Sequence, residues 1–153
     1  IQFDGDGQHD AKYISTLIAP IIAGEADCVI GSRFIKKEGF QSSALRRFGI
    51  NFLSTLIYLL SGVKVHDVTS GFRAVNRDVI AYFAESYPQD YPEPDAILAS
   101  SLEGFRIREV AVQMRERIGG QSSISSYKSV YYMVKVSISL VVCRLTTKRR
   151  RAV

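Results

Sequence analysis

The stretch Ile1-Gln-Phe-Asp-Gly-Asp-Gly-Gln-His-Asp10 decides the fold class. Ile1 to Phe3 read as the end of a buried strand. Asp4 and Asp6, two carboxylates one residue apart, follow at once in a glycine-bearing turn. Asp10 stands where a helix cap belongs. Beyond it Ile14, Leu17, Ile18, Ile21 and Ile22 recur at helical spacing, and Gly24 closes the run. Pro20 lies inside that run, removes one backbone hydrogen bond and predicts a kink. Strand, acidic turn and helix form the unit of an open α/β sheet, where ligands bind beyond the carboxyl ends of the strands.

The rest of the chain repeats the alternation. Residues 27–30 read as a short strand, followed by the loop Gly31-Ser-Arg33 and a polar stretch from Lys36 to Ser43. Leu45, Phe48, Phe52, Leu56 and Leu59 mark a second helix that ends near Gly62. Asp67-Val-Thr-Ser-Gly-Phe-Arg73 is a loop running into a strand. Asn76 caps a short helix reaching about Ala84. Pro94 is placed as the first residue of a helix that Gly104 stops. Residues 107–114 read as a strand with Val110, Val112 and Met114 on one face, and residues 115–126 as a polar, flexible loop. The pattern predicts an α/β layer fold around a largely parallel sheet, without internal repeats.

Composition sets the outer limits. The chain has 153 residues, 46% of them apolar and 23% charged, which suits one packed domain and excludes a disordered chain. A net charge of +5 favours anionic partners: phosphates, nucleic acid or a negatively charged leaflet. Cys28 and Cys143 are far apart and outside any metal-ligand spacing, so a reducing compartment is the simpler expectation. A strand that opens at residue 1, on Ile rather than Met, predicts a piece of something longer.

Asp4 and Asp6 are the centre of the chemistry. Two carboxylates flanking one small residue converge on a hard divalent cation, Mg²⁺ or Mn²⁺, which keeps waters and takes substrate phosphate oxygens as further ligands. Gln8 offers an amide oxygen to the same ion. The bland alternative is an acidic turn leading into the Asp10 cap. A calcium loop of the EF-hand type needs Gly at its sixth position and Glu at its twelfth, but His9 and Ser15 stand there. A phosphatase of the haloacid dehalogenase type has Thr or Val after the D-x-D-G turn, and here Gln8 follows.

Five ordered segments narrow the choice. They are Asp4-Gly-Asp-Gly-Gln-His-Asp10, Gly31-Ser-Arg-Phe34, Asp67-Val-Thr-Ser-Gly-Phe-Arg73, Tyr91-Pro-Glu-Pro-Asp95 and Met114-Arg-Glu-Arg-Ile-Gly-Gly-Gln-Ser-Ser-Ile124. Together they resemble family 2 glycosyltransferases of the dolichyl-phosphate mannosyltransferase type, especially bacterial members, from Ile1 to about Ile124. The resemblance implies a partial GT-A (Rossmann-like) domain, an inverting transfer, and a nucleotide-binding βαβ half of roughly ninety residues ahead of this chain.

By that resemblance Asp4, Asp6 and Gln8 are the metal and diphosphate ligands, and Arg33 is a phosphate-facing cation whose guanidinium offers a bidentate fork. Arg46 or Arg47, at the start of the second helix, would hold an acceptor phosphate. Ser70, Gly71 and Arg73 would form the wall and floor of the sugar or acceptor site. Gly71 reads as a close backbone approach or a positive φ. Arg73 and Asp67 also read as partners for a buried opposite charge. Glu93 and Asp95 are candidate acids near the acceptor, with Asp95 favoured as the base that takes a hydroxyl proton. An anionic lipid-phosphate acceptor needs no base, and the two acids would then orient the site. Arg115, Arg117, Gly120 and Ser122 form a basic loop suited to closing over a diphosphate. Ser123 replaces the lysine that lipid-phosphate enzymes carry there.

The last element, residues 127–145, has two readings: Val134, Val136, Ile138 and Leu140 alternate as in a strand, while Tyr131, Val134, Ile138, Val141, Val142 and Leu145 form a helical stripe, and length favours the helix. Lys128, Lys135 and Arg144 interrupt it too often for a membrane span. Residues 1–126 are therefore expected to be the C-terminal part of the GT-A glycosyltransferase domain that the resemblance implies. Residues 127–153 are expected to be an amphipathic helix and basic tail on an anionic membrane surface, at the cytoplasmic side. The expected activity is transfer from a UDP- or GDP-sugar to a polyprenyl-phosphate or glycan acceptor in cell-envelope polysaccharide synthesis. A phosphohydrolase using the same carboxylates is the competing enzyme. A nucleic-acid module is the competing binder, against which stand dispersed basic residues and no recognition motif.

Overall fold

The computed structural model describes residues 1–36, 38, 39, 41, 43–88, 91–115 and 126–147, with backbone alone for 126–129. A 3-10 turn, Ala11–Tyr13, leads into α1 (Ile14–Ile22). Then follow β1 (Cys28–Ser32), α2 (Ala44–Ser61), β2 (Arg73–Val75), α3 (Arg77–Ser86), α4 (Pro92–Glu103), β3 (Ile107–Ala111) and α5 (Ser126–Thr146).

The helix ends follow local chemistry. The Asp10 carboxylate accepts from the Lys12 N–H at 3.1 Å, Ser43 caps α2, and the Asn76 side chain accepts from the Val79 N–H at 3.0 Å. Gly62 and Gly104 close α2 and α4 with φ of 78° and 92°, a left-handed turn that costs other residues about 1–2 kcal/mol. α4 starts at Pro92, two residues before the expected Pro94. Both prolines fall in the first turn, where the missing N–H costs nothing.

β1 is buried along its whole length and divides the core in two. Cys28 and Ile30 face a cluster built from α2, α4 and α5, including Ile50, Leu53, Ile57, Ile97, Leu98, Leu102, Val136 and Leu140. Val29 faces the other side, with Leu17 of α1, Phe72, Ala74, Val112 and Met114. The period-two alternation of a strand thus sets a three-layer α/β/α packing. α4 is buried nearly all round, wedged between α2 and α5.

The sheet order is β2-β1-β3, with β3 parallel and β2 antiparallel to β1. The largely parallel sheet expected from the sequence is therefore mixed among the described strands. After α2, residues 63–72 return across the carboxyl end of β1, so β2 enters there and runs backward, pairing Arg73 with Ile30 and Val75 with Cys28. Ile1 to Phe3, read as a buried strand end, make one bridge, Gln2 to Arg73, and leave Ile1 54% and Phe3 43% exposed.

Candidate functional site

The acidic turn lies at the carboxyl edge of this sheet and is bound to two neighbouring segments. Arg115, just beyond β3, donates its N–H to the Gln8 carbonyl at 2.9 Å, and its guanidinium reaches Asp10 at 2.8 Å. Gln8 returns its side-chain N–H to the Arg115 carbonyl at 3.4 Å. On the other flank, a Cβ placed on Gly71 would stand 2.6 Å from Oδ2 of Asp4. Gly71 thus reflects close approach, with the Asp4 carboxylate against its backbone. Asp6 Oδ1 accepts the Gln8 N–H at 3.0 Å, which rounds the turn.

His9, given no firm role by its sequence, is buried in this turn. Its ring stacks on Phe72 at 4.7 Å and meets Phe3 edge-on at 5.5 Å. Its Nδ1 accepts the Asp4 N–H at 3.1 Å, and its Nε2 faces Asp4 Oδ2 at 3.9 Å. Burial pushes the imidazole below its usual pKa. The neutral ring therefore welds the acidic turn to the segment before β2.

Arg33 departs from the expected phosphate-facing pose. Its Nε and Nη2 each reach the Asp67 carboxylate at 2.7 Å, and Nη2 also meets Thr69 Oγ1 at 3.1 Å. Both charged side chains are buried. The fork serves the partnership with a buried carboxylate that Asp67 was also read to make. Phe34 lies between two guanidiniums, with Arg33 at 5.2 Å and Arg47 at 5.4 Å from its ring. Arg47 therefore stands on the Arg33 side, whereas the field of Arg46 reaches Tyr132 on α5.

Ser70 donates its hydroxyl to the Gly31 carbonyl at 2.6 Å, which fastens the return segment to the end of β1. Arg73 is buried and gives its Nε to the Ser70 carbonyl at 2.8 Å. Its Nη2 has no hydrogen-bond partner among the described residues. Burial lowers the Arg73 pKa, and the charges of Glu93, Tyr87 and Asp67 oppose that shift.

The two candidate acids have different surroundings. Asp95 is buried and accepts the Ser139 hydroxyl of α5 at 2.6 Å, so its carboxylate ties α4 to α5. Glu93, one turn-step earlier, acts electrostatically on both Arg73 and Tyr132. Tyr132 is pushed up to about 12, chiefly by burial and then by the Glu93 and Asp95 charges. Arg117, Gly120 and Ser122 lie outside the described residues.

Asp4 and Asp6 offer carboxylate oxygens of the kind a small divalent ion takes. Among the described residues no third His, Cys, Asp or Glu joins Asp4 and Asp6 in a metal cage. One or two carboxylates completed by substrate phosphates is the usual way such enzymes hold Mg²⁺ or Mn²⁺. The Asp4 side chain is half exposed.

The glycosyl transferase family 2 profile matches residues 1–83. The chain belongs to that family. It is 30% identical to the polyprenol monophosphomannose synthase of Mycolicibacterium smegmatis over 90% of this chain and 53% of the relative. It is also 30% identical to the UDP-N-acetylglucosamine–dolichyl-phosphate N-acetylglucosaminyltransferase of Methanococcus voltae, over 74% of this chain and 46% of that protein. An uncharacterised protein of Methanocaldococcus jannaschii is 29% identical over 74% of this chain and 48% of its own length. The chain spans about half the length of these curated relatives.

Proposed function

We propose that the protein is an inverting, metal-dependent glycosyltransferase that moves a sugar from a UDP- or GDP-sugar to a polyprenyl phosphate. The observation that carries this reading is the Asp4–Gly71 contact, which sets the acidic pair at the carboxyl edge of a family 2 sheet. The names of the relatives, two of them acting on polyprenol or dolichyl phosphate, support the acceptor class.

Asp4 and Asp6, with Gln8, would hold Mg²⁺ or Mn²⁺, which supplies positive charge to the departing nucleotide diphosphate. His9 holds the Asp4 backbone, Gly71 leaves room for the Asp4 carboxylate beside it, and Ser70 ties that segment to Gly31. Arg33 and Asp67 form a rigid pair behind the site. Arg46 or Arg47, at the start of α2, would receive the acceptor's phosphate, with Arg73 in the wall of the site. An anionic phosphate attacks without losing a proton, so Glu93 orients the site and no general base is required.

Membrane contact at the cytoplasmic face belongs to the same reading. Of the predicted α5 stripe, Tyr131, Val134, Ile138, Val141, Val142 and Leu145 are all exposed, as are Leu45, Phe48, Phe52 and Leu59 of the neighbouring α2. No helix among the described residues is long and apolar enough to cross a membrane. Two adjacent helices with outward apolar stripes and a terminal Lys148-Arg-Arg-Arg151 run suit an anionic interface.

The test is a panel of UDP- and GDP-sugars offered with undecaprenyl phosphate and Mn²⁺. One labelled donor should yield a glycolipid, and Asp6→Ala should abolish it. Retained activity in that variant would remove Asp6 from the mechanism.

A further inference from the structure

Glu109 carries a carboxylate that takes no part in the chemistry above. Glu109 lies in mid-β3, paired with Ile30 of β1, and its side chain is 7% exposed. Its two oxygens receive two consecutive backbone N–H groups of the return segment: His66 donates to Oε2 at 2.8 Å and Asp67 to Oε1 at 2.9 Å. The His66 ring sets Nδ1 2.7 Å from Oε2. A buried carboxylate is costly unless its oxygens are bonded, so a side chain held this way defines the position of what it holds.

What it holds is the back of the site. Asp67, whose N–H Glu109 fixes, receives the Arg33 N–H at 3.1 Å as well as the guanidinium fork. Three residues on, Ser70 is fastened to Gly31, and Gly71 stands against Asp4. One strand side chain therefore anchors the peptide that orients Arg33 and walls the acidic pair. We propose that Glu109 is a positioning residue for the metal–diphosphate site: it touches no ligand, and it sets the return segment on which the Asp4 carboxylate rests. The ligand class in this assignment rests on the functional reading above. The chemistry calls for a carboxylate. A glutamine has one acceptor oxygen, and its NH₂ would oppose one of the two backbone donors, leaving it orphaned.

The experiment is a calorimetric titration of Mn²⁺ into the protein in the presence of GDP or UDP, with thermal melting and sugar transfer followed alongside. Residues behind a metal site typically change its affinity by about 10–100-fold. Glu109→Gln should weaken Mn²⁺ binding by that range at temperatures where the variant remains folded. Glu109→Asp should recover part of the loss. His66→Ala, which keeps both backbone bonds, should change affinity by less than about fivefold, as befits an exposed pair. A folded Glu109→Gln protein with wild-type Mn²⁺ affinity would overturn the assignment alone. If the Gln variant does not fold, the Asp variant decides: affinity weaker than wild type supports positioning, and unchanged affinity overturns it. Wild-type protein that takes up no Mn²⁺ with either nucleotide would overturn the functional reading and this assignment together. Wild-type uptake without transfer to polyprenyl phosphate would overturn the acceptor class, with weakened uptake in Glu109→Gln still supporting the assignment.

Discussion

Replacing Gly71 with alanine isolates the contact on which the site depends. The new methyl would sit 2.6 Å from Asp4 Oδ2, whereas ordinary contact begins at 3.4 Å, so the carboxylate must retreat by about 0.8 Å. The Asp4 side chain is half exposed and free to retreat, so the fold should lose little. The site should lose much. A misplacement near 1 Å costs roughly 10²-fold in rate, about 2.7 kcal/mol of transition-state stabilisation. Gly31→Ala is the companion variant. Its Cβ would meet Phe72 and Val112 at 3.2 Å, deep in the core. Overpacking there costs about 1–3 kcal/mol of stability. The assay is glycolipid formation against Mn²⁺ concentration, paired with chemical denaturation. Gly71→Ala should raise the Mn²⁺ requirement and lower the maximal rate with near-normal stability, whereas Gly31→Ala should lower stability with a near-normal Mn²⁺ requirement. A Gly71→Ala protein with unaltered rate and metal dependence would refute the argument.

Other perturbations read other parts of the molecule. Asp67→Ala strands the buried Arg33 charge and should cost about 3–5 kcal/mol in equilibrium denaturation. Gly62→Ala forces a side chain onto φ 78° and should cost about 1–2 kcal/mol while leaving Mn²⁺ uptake intact. Leu59→Glu and Leu145→Glu change exposed residues, so melting should stay put while sedimentation with phosphatidylglycerol vesicles falls; unchanged vesicle binding would remove these helices from the membrane surface. Burial raises the Cys28 thiol to about 11, so below that pH it stays protonated, and alkylation at pH 8 should be slow until denaturant exposes it.

Much of this architecture was readable from short-range chemistry. Ser43, Asn76, Gly62 and Gly104 act on residues within one turn of themselves, so the ends of α2, α3 and α4 could be placed without knowing the fold. The period of α5 was ambiguous between strand and helix; length decided for the helix that is observed, and its stripe is exposed. The direction of β2 was not legible, because it depends on where residues 63–72 recross β1, a contact between distant segments. The same distance hid the fate of Arg33, thirty-four residues from its carboxylate. Glu109 was missed because a charge inside a strand reads as a solvent-facing position, whereas here it faces the buried backbone of another segment. The tie between Asp95 and Ser139 was not legible either, because Ser139 is forty-four residues away on a helix whose packing partner no local pattern names.

The most direct measurement is anomalous X-ray diffraction from crystals grown with Mn²⁺ and GDP or UDP. The account predicts a manganese peak shared by the Asp4 and Asp6 carboxylates, with diphosphate oxygens on its far side. A nucleotide bound with no manganese at that turn, or a peak held by other residues, would contradict it.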